Sequence, residues 1–86
     1  MPNLKEAVAV ERPTPVLFAT SWCGYCKKAR EYMRRNGIAY VEYDIEKDGA
    51  ARAEYLRYKG RGVPFLVMGD ETLRGYTLKR YNRFFK

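Results

Sequence analysis

The two cysteines of this 86-residue chain, Cys23 and Cys26, stand three positions apart and constrain its fold more than any other feature. The apolar run Val16–Ala19 precedes them and predicts a buried strand. Residues 27–36 follow and predict an amphipathic helix that is closed by Gly37. The sequence therefore places the cysteines where a strand turns into a helix, with Cys23 at or just before the first helical turn.

This position favours a negatively charged sulfur on Cys23. The first turn of a helix carries unpaired N–H groups and about half a positive charge, and Lys27 and Lys28 add positive potential. Cysteines at such positions have pKa values of roughly 3.5–7.5, against about 8.5 for a free cysteine. Because positions three apart share one helix face, Cys26 can close a disulfide with Cys23. Gly24 between them lets a partner approach the backbone closely.

Three other interpretations of the cysteine pair compete with a redox role. A structural disulfide in so short a ring would constrain the unfolded chain by only about 2 kcal/mol. A closed zinc site needs four ligands, and the chain has two cysteines and no histidine, so we expect no metal site within one chain. A pair of inert buried thiols is disfavoured by the neighbouring lysines and the helix start. The favoured interpretation is a redox-active dithiol.

Patterns elsewhere in the chain predict the element order βαβαββα. At the first helix, Cys26, Ala29 and Met33 recur at i, i+3 and i+7 and form a stripe that faces the core. A half-buried strand is predicted over 38–45, followed by a helix over 49–59 that is capped by Asp48, ends at Gly60 and faces inward at Ala51, Tyr55 and Tyr58. Two further strands are predicted at Phe65–Met68 and Glu71–Arg74. The last helix follows its N-cap, Thr77, and faces inward at Leu78, Tyr81 and Phe85. The first βαβ unit must be parallel and the closing hairpin antiparallel. We therefore expect an α/β domain in which a mixed four-stranded sheet carries helices on both faces.

The charge balance and the N-terminal segment limit the classes of function. Seventeen basic and ten acidic side chains give a net charge of +7, but no basic run of five or more and no reading motif for nucleic acid occurs. Solvated helix faces are therefore the better explanation of the positive charge, with attraction of anionic thiols as a second consequence. No apolar run approaches the roughly 20 residues of a membrane span. Residues 1–15 lack the apolar core of a signal peptide and predict a flexible lead-in to a domain over residues 16–86. We expect a cytoplasmic protein that binds neither nucleic acid nor membrane.

The segment Trp22-Cys23-Gly24-Tyr25-Cys26-Lys27 after a short strand resembles the glutaredoxins, a branch of the thioredoxin-like superfamily. The resemblance extends from about Val16 to the C-terminus and implies a thioredoxin-like fold and a monomer. It also implies a cis peptide bond at Val63-Pro64, with the Val63 backbone pairing with an extended substrate. Trp22 fits either a core position or a wall of the site.

The same resemblance implies the residues that contact substrate. Gly75-Tyr76-Thr77 would hold the γ-glutamyl end of glutathione at a helix start, and Arg61 would bind a carboxylate. The sequence departs from the family at Thr20, where many members have a lysine, and at Thr77, where many have an acidic residue. The full set implied to bind substrate or glutathione is Trp22, Gly24, Tyr25, Lys27, Arg61, Val63, Pro64, Gly75, Tyr76 and Thr77.

The leading hypothesis is a glutathione-linked thiol–disulfide oxidoreductase, in which Cys23 attacks protein or glutathione mixed disulfides and Cys26 resolves the intermediate. One alternative rests on the segment from Gly69 to Tyr76, which resembles redoxins that serve ribonucleotide reductase and are reduced by thioredoxin reductase. Another rests on Gly24, because a glycine after the first cysteine occurs in glutaredoxins that bridge an iron–sulfur cluster between two chains.

Overall fold

The computed structural model describes residues 13–86 and has the predicted order βαβαββα. Most of the predicted lead-in lies outside the described residues, so the domain boundary at residue 16 stays a prediction. Pro15, just before it, is buried, and its carbonyl accepts a hydrogen bond from the Val41 N–H at 3.0 Å. The elements are β1 Val16–Ala19, α1 Gly24–Arg35, β2 Val41–Asp44, α2 Gly49–Arg57, β3 Phe65–Met68, β4 Glu71–Arg74 and α3 Leu78–Phe85.

The four strands form one mixed sheet in the order β2-β1-β3-β4. Strand β1 is parallel to β2 and antiparallel to β3, with Leu17 opposite both Glu42 and Leu66. The β3–β4 hairpin is antiparallel, as expected from its short turn. Because β1 and β2 are parallel, their carboxyl ends meet at one edge of the sheet. The loop that carries the cysteines therefore lies beside the loop that follows β2.

Helices cover both faces of the sheet, which confirms the predicted architecture. Successive strand residues point to opposite faces, so Leu17 and Phe18 enter different clusters. Leu17 packs in the cluster beneath α1 and α3, which also contains Ala19, Cys23, Cys26, Ala29, Tyr32, Met33, Leu66 and Tyr81. Phe18 packs in the cluster beneath α2, with Ile45, Ala51, Tyr55, Phe65 and Val67.

Helix α1 begins three residues earlier than the sequence predicts. Cys23 occupies the N-cap with extended backbone angles, and its sulfur accepts the N–H of Cys26, so Gly24 is already helical. The predicted end is confirmed, because Gly37 follows the Asn36 C-cap with φ +64°.

Helix α2 is shorter than predicted and ends at Arg57. The left-handed backbone that follows belongs to Lys59, with φ 62°, and not to Gly60. Gly60 serves a different purpose, because a Cβ there would come within 3.0 Å of the Tyr55 ring. The predicted inward position of Tyr58 is wrong, since that side chain is 43% exposed past the helix end.

Two further burial predictions are corrected. Leu78 is 58% exposed, because the first turn of α3 extends beyond the core, whereas Phe84 and Phe85 near the end of this helix pack against it. Strand β2 is shorter than residues 38–45 and lies at the edge of the sheet, where Val41 and Tyr43 stay about 40% exposed. Of the predicted inward face of this strand, only Ile45 is buried.

Candidate active site

Cys23 sits at the amino end of α1 with its sulfur facing two backbone groups. The Cys26 N–H donates to Cys23 Sγ at 3.1 Å, and the Val63 carbonyl oxygen lies 3.8 Å from the same sulfur. Both cysteines are free thiols. A sulfur that accepts a helix N-terminal N–H is well placed to carry negative charge.

Cys26 lies one turn further along α1 in a different environment. Its side chain is fully buried, and this burial is the largest of the causes that together raise the pKa of the Cys26 thiol to about 12. The hydrogen bond to Cys23 contributes to the increase, while a backbone hydrogen bond from Thr20 and the charge of Arg30 oppose it. At neutral pH Cys26 is therefore a neutral thiol.

The segment around Pro64 joins the cysteines to the start of α3. The Val63–Pro64 peptide bond is cis, as the resemblance implied. Pro64 is buried and its carbonyl accepts a hydrogen bond from the Gly75 N–H at 2.8 Å, while Val63 faces Cys23. Three segments that are far apart in sequence thus meet around Cys23.

Two aromatic side chains flank the cysteines at the surface. Trp22 is 69% exposed and Tyr25 is 60% exposed, so Trp22 is not a core residue. The Trp22 indole N–H donates to both oxygens of the Glu46 carboxylate, at 3.0 and 3.1 Å. The Lys28 Nζ lies 6.0 Å from the centre of the Tyr25 ring, a cation–π distance.

A groove of about 550 Å³ runs from Tyr25 along α1 and is bounded on its other side by the start of α3. We call it the α1–α3 groove. It is lined by Tyr25, Lys28, Glu31, Tyr32, Arg35 and Asn36 on one side and by Tyr76, Thr77 and Leu78 on the other.

The remaining candidate residues differ in their surroundings. Thr77 caps α3, since its hydroxyl accepts the Arg80 N–H at 3.1 Å. Among residues 13–86, nothing lies within 4 Å of where a Cβ on Gly24 would be, so these residues leave this face of the helix open to a partner. Lys27 and Arg61 are exposed, and within residues 13–86 no side-chain hydrogen bond or ion pair ties either of them to the cysteines.

Sequence reasoning missed two charged residues at this site. Arg30 lies one turn after Cys26, pairs with Glu42 at 2.8 Å and donates to the Thr20 carbonyl at 3.3 Å. Its spacing of four from Cys26 was a usable signal, because such positions share a helix face. Glu46 follows β2 and could have been found from the parallel pairing of β1 and β2, which brings their carboxyl ends together.

Within residues 13–86 no helix is long and apolar enough to cross a membrane. In the same part of the chain no three cysteine or carboxylate side chains come together as a metal-ion site.

This arrangement defines a class of protein. A cysteine pair at the amino end of a helix, beside a cis-proline on a mixed sheet, is the arrangement expected of a thioredoxin-like thiol oxidoreductase. The structure superimposes on the thioredoxin-like protein BC3987 with a TM-score of 0.76 at 27% identity, covering 81% of this chain and 97% of that one. A glutaredoxin from Archaeoglobus fulgidus superimposes with a TM-score of 0.71 at 22% identity, covering 100% and 97%, and supports the fold alone.

The chain belongs to the glutaredoxin family, whose model matches residues 16–73. A provisionally named glutaredoxin of Mycobacterium tuberculosis is 48% identical over 57 residues, which cover 63% of this chain and 67% of that protein. A glutaredoxin of Pseudomonas aeruginosa is 31% identical over 64 residues, covering 73% and 76%.

Proposed function

We propose that this protein reduces protein disulfides and glutathione mixed disulfides through Cys23 and Cys26, with glutathione as the electron donor. The observation that carries the proposal is the asymmetry of the pair. Cys23 Sγ lies at the amino end of α1 and accepts a backbone N–H at 3.1 Å, whereas Cys26 is fully buried with a raised pKa. Only the thiolate attacks a disulfide, so Cys23 is the nucleophile.

The reaction proceeds by two exchanges. The Cys23 thiolate attacks one sulfur of the substrate disulfide, forms a mixed disulfide and expels the other sulfur as a thiolate, which takes up a proton. For a protein disulfide, Cys26 then loses its proton and attacks Cys23, which closes the Cys23–Cys26 disulfide and releases the substrate fully reduced. Two glutathione molecules supply the two electrons that restore the dithiol and leave as glutathione disulfide.

Residues around the cysteines would orient the two kinds of substrate. Val63 aligns an extended chain, Pro64 sets its direction, and Trp22, Gly24 and Tyr25 form the contact surface. The Gly75 N–H already donates to Pro64, so in our proposal the backbone of Tyr76 and Thr77 binds the γ-glutamyl carboxylate, with Lys27 and Arg61 contributing positive charge. The positive charges of Lys27 and Arg61 would attract glutathione, which is an anionic thiol.

Electron-donor specificity tests the glutathione link. A glutathionylated substrate is supplied either with glutathione and glutathione reductase or with thioredoxin reductase alone. Turnover is measured as oxidation of the reduced nicotinamide cofactor that the reductase consumes. We expect turnover with the glutathione system. Turnover with thioredoxin reductase alone would contradict the glutathione assignment and favour the redoxins that serve ribonucleotide reductase.

Serine variants of the two cysteines separate their roles. Cys23→Ser should abolish every exchange reaction, because the nucleophile is lost. Cys26→Ser should keep deglutathionylation, in which glutathione resolves the Cys23 intermediate, and should lose most reduction of protein disulfides. Retained activity in Cys23→Ser would contradict the assignment of the nucleophile.

We place this chemistry in a reducing compartment, the cytoplasm, with the protein acting as a monomer.

A further inference from the structure

The α1–α3 groove continues well past the cysteines. Tyr25 lies at one end and Asn36, the C-cap of α1, lies at the other, eleven positions later. At 1.5 Å per residue this is about 16 Å along the helix axis. An extended tripeptide spans only about 10 Å, whereas about five extended residues would fill the length. The groove is therefore longer than a small thiol such as glutathione needs.

The rim of the groove carries two basic side chains, of which Lys28 also lies 6.0 Å from the centre of the Tyr25 ring. Lys28 and Arg35 are exposed, and neither belongs to an ion pair within residues 13–86. They are seven positions apart on one face of α1, which separates them by about 10 Å along the axis. One carboxylate, Glu31, is half-buried between them and also lacks an ion-pair partner in that part of the chain.

The floor of the groove and part of its far wall offer apolar surface. The Tyr32 ring is buried, and its hydroxyl donates to Asn82 Oδ1 at 2.7 Å. Tyr76 packs edge-on against Tyr81 with ring centres 4.6 Å apart, and Leu78 leaves 58% of its surface exposed on the wall. An occupant would thus gain charge contacts at the rim and apolar contacts at the wall.

We propose that the α1–α3 groove binds an extended acidic segment of a protein substrate, next to the substrate's reacting cysteine. The inference rests on the proposed function and names the substrate class of the same site. The length of the groove selects a polypeptide over a small thiol. Lys28 and Arg35, which form no ion pair within residues 13–86, select negative charge. Their separation of about 10 Å matches carboxylates three residues apart on an extended chain of the polyproline II type, because about three residues per turn and a rise of about 3.1 Å per residue place such side chains on one face.

The test uses two synthetic peptides of equal length that carry one cysteine as a mixed disulfide with thionitrobenzoate. One peptide has two aspartates three positions apart beside the cysteine, and the other has asparagines there. In the full chain with Cys26→Ser, the Cys23 thiolate attacks the peptide sulfur, forms a Cys23–peptide disulfide and expels the coloured thionitrobenzoate thiolate. The rate of colour release at known concentrations gives the second-order rate constant of the attack. The assay needs no other electron donor.

We expect the acidic peptide to react about 3- to 10-fold faster than the neutral peptide at low salt. The preference should fall as salt screens the charges. Lys28→Gln with Arg35→Gln should remove the preference, and Glu31→Gln should increase it. The matched control, Arg52→Gln with Arg83→Gln, removes two positive charges outside the groove and should leave the preference intact.

The possible results separate this inference from the proposed function. Fast reaction of both peptides without an acidic preference would overturn the groove assignment while leaving the thiol chemistry in place. If the control pair of substitutions removed the acidic preference to the same extent, the groove assignment would be overturned, because the preference would then come from long-range attraction by the positive charge of the whole chain. An equal slowing of the thionitrobenzoate disulfide of glutathione by the Lys28 and Arg35 changes would show a small-thiol site instead. If neither peptide reacts, the proposed function fails and this inference fails with it.

Discussion

At the scale of single residues, different hydrogen-bond surroundings and a difference in depth give the two cysteines different chemistry. Cys23 belongs to the same buried cluster as Cys26 and is 8% exposed, but its sulfur lies against the Val63 carbonyl and accepts the Cys26 N–H. Cys26 lies in the cluster beneath α1 and α3, where losing a proton would leave a charge in an apolar environment. A buried thiol of this kind can take part in exchange only when it is deprotonated for the reaction.

The raised pKa of Cys26 predicts a steep pH dependence of the resolving step. Far below a pKa of about 12, the thiolate fraction of Cys26 rises about tenfold with each pH unit. In the mixed disulfide Cys23 carries no charge, but burial, the largest cause of the shift, remains. We therefore expect the release of the second substrate thiol to accelerate about tenfold per unit between about pH 6 and 9, as measured by stopped-flow.

Cys26→Ser provides the control for this profile, because it lacks the resolving step and isolates the first attack. A rate of resolution that stops rising at about pH 8.5–9 would mean that Cys26 titrates like an ordinary cysteine and would contradict the prediction.

At the scale of elements, contacts between loops position the aromatic side chain next to Cys23. The parallel pairing of β1 and β2 brings the loop that follows β1 beside the loop that follows β2. In that position both oxygens of the Glu46 carboxylate accept the single Trp22 indole N–H in a bifurcated hydrogen bond. The contact holds an indole that is otherwise 69% exposed.

Removing the Glu46 carboxylate should release this indole. We expect Glu46→Ala to lower the steady-state fluorescence anisotropy of Trp22, the single tryptophan of the chain, because the ring gains rotational freedom. The free energy of unfolding should change by no more than about 1 kcal/mol, since the contact is exposed. Glu46→Gln should give an intermediate anisotropy, because an amide oxygen can still accept one hydrogen bond.

Glu42→Gln is the matched control for this experiment. It weakens the Arg30 ion pair on the neighbouring strand and should leave the Trp22 anisotropy unchanged. An unchanged anisotropy in Glu46→Ala would contradict the proposed restraint.

At the scale of the whole molecule, aromatic side chains join α3 to α1 and to the sheet. Tyr81 is fully buried and contacts the rings of Tyr32 and Tyr76 edge-on. Within residues 13–86 its hydroxyl has no hydrogen-bond partner, whereas the Tyr32 hydroxyl donates to Asn82. Two tyrosines in one cluster therefore differ in what their hydroxyl groups contribute to stability.

This difference predicts opposite effects of the same substitution. Tyr81→Phe should leave the free energy of unfolding unchanged or raise it by about 1 kcal/mol, because a buried hydroxyl without a partner is unfavourable. Tyr32→Phe should lower it by about 1 kcal/mol, because the Asn82 oxygen loses its donor. Urea unfolding of both variants measures the two values.

The pH dependence gives a second measure of Tyr81. Burial raises the pKa of Tyr81, so above about pH 10 the unfolded chain loses this proton before the folded one does, and stability falls with rising pH. The advantage of Tyr81→Phe should therefore grow in alkaline solution. A loss of stability in Tyr81→Phe equal to that in Tyr32→Phe would contradict the prediction.

Much of the fold and the centre of the site could be predicted from residue order. The apolar run Val16–Ala19, the cysteine spacing and the C′ glycine at position 37 are local signals, so they fix the strand, the turn and the helix regardless of what packs around them. The Asp48 and Thr77 caps were predicted for the same reason and are confirmed. The cis bond at Val63-Pro64 came from the resemblance alone, because the local sequence favours trans.

Only the tertiary structure decided which periodic positions are buried and which distant residues meet. Helical spacing marked Tyr58 and Leu78 as inward, but a stripe does not show where a helix passes beyond the sheet, and both side chains are exposed. The Glu46–Trp22 contact and the Arg30–Glu42 pair span 24 and 12 positions, and they depend on how β1, β2 and α1 are placed. The α1–α3 groove exists for the same reason, because its two walls are elements whose packing the sequence alone does not specify.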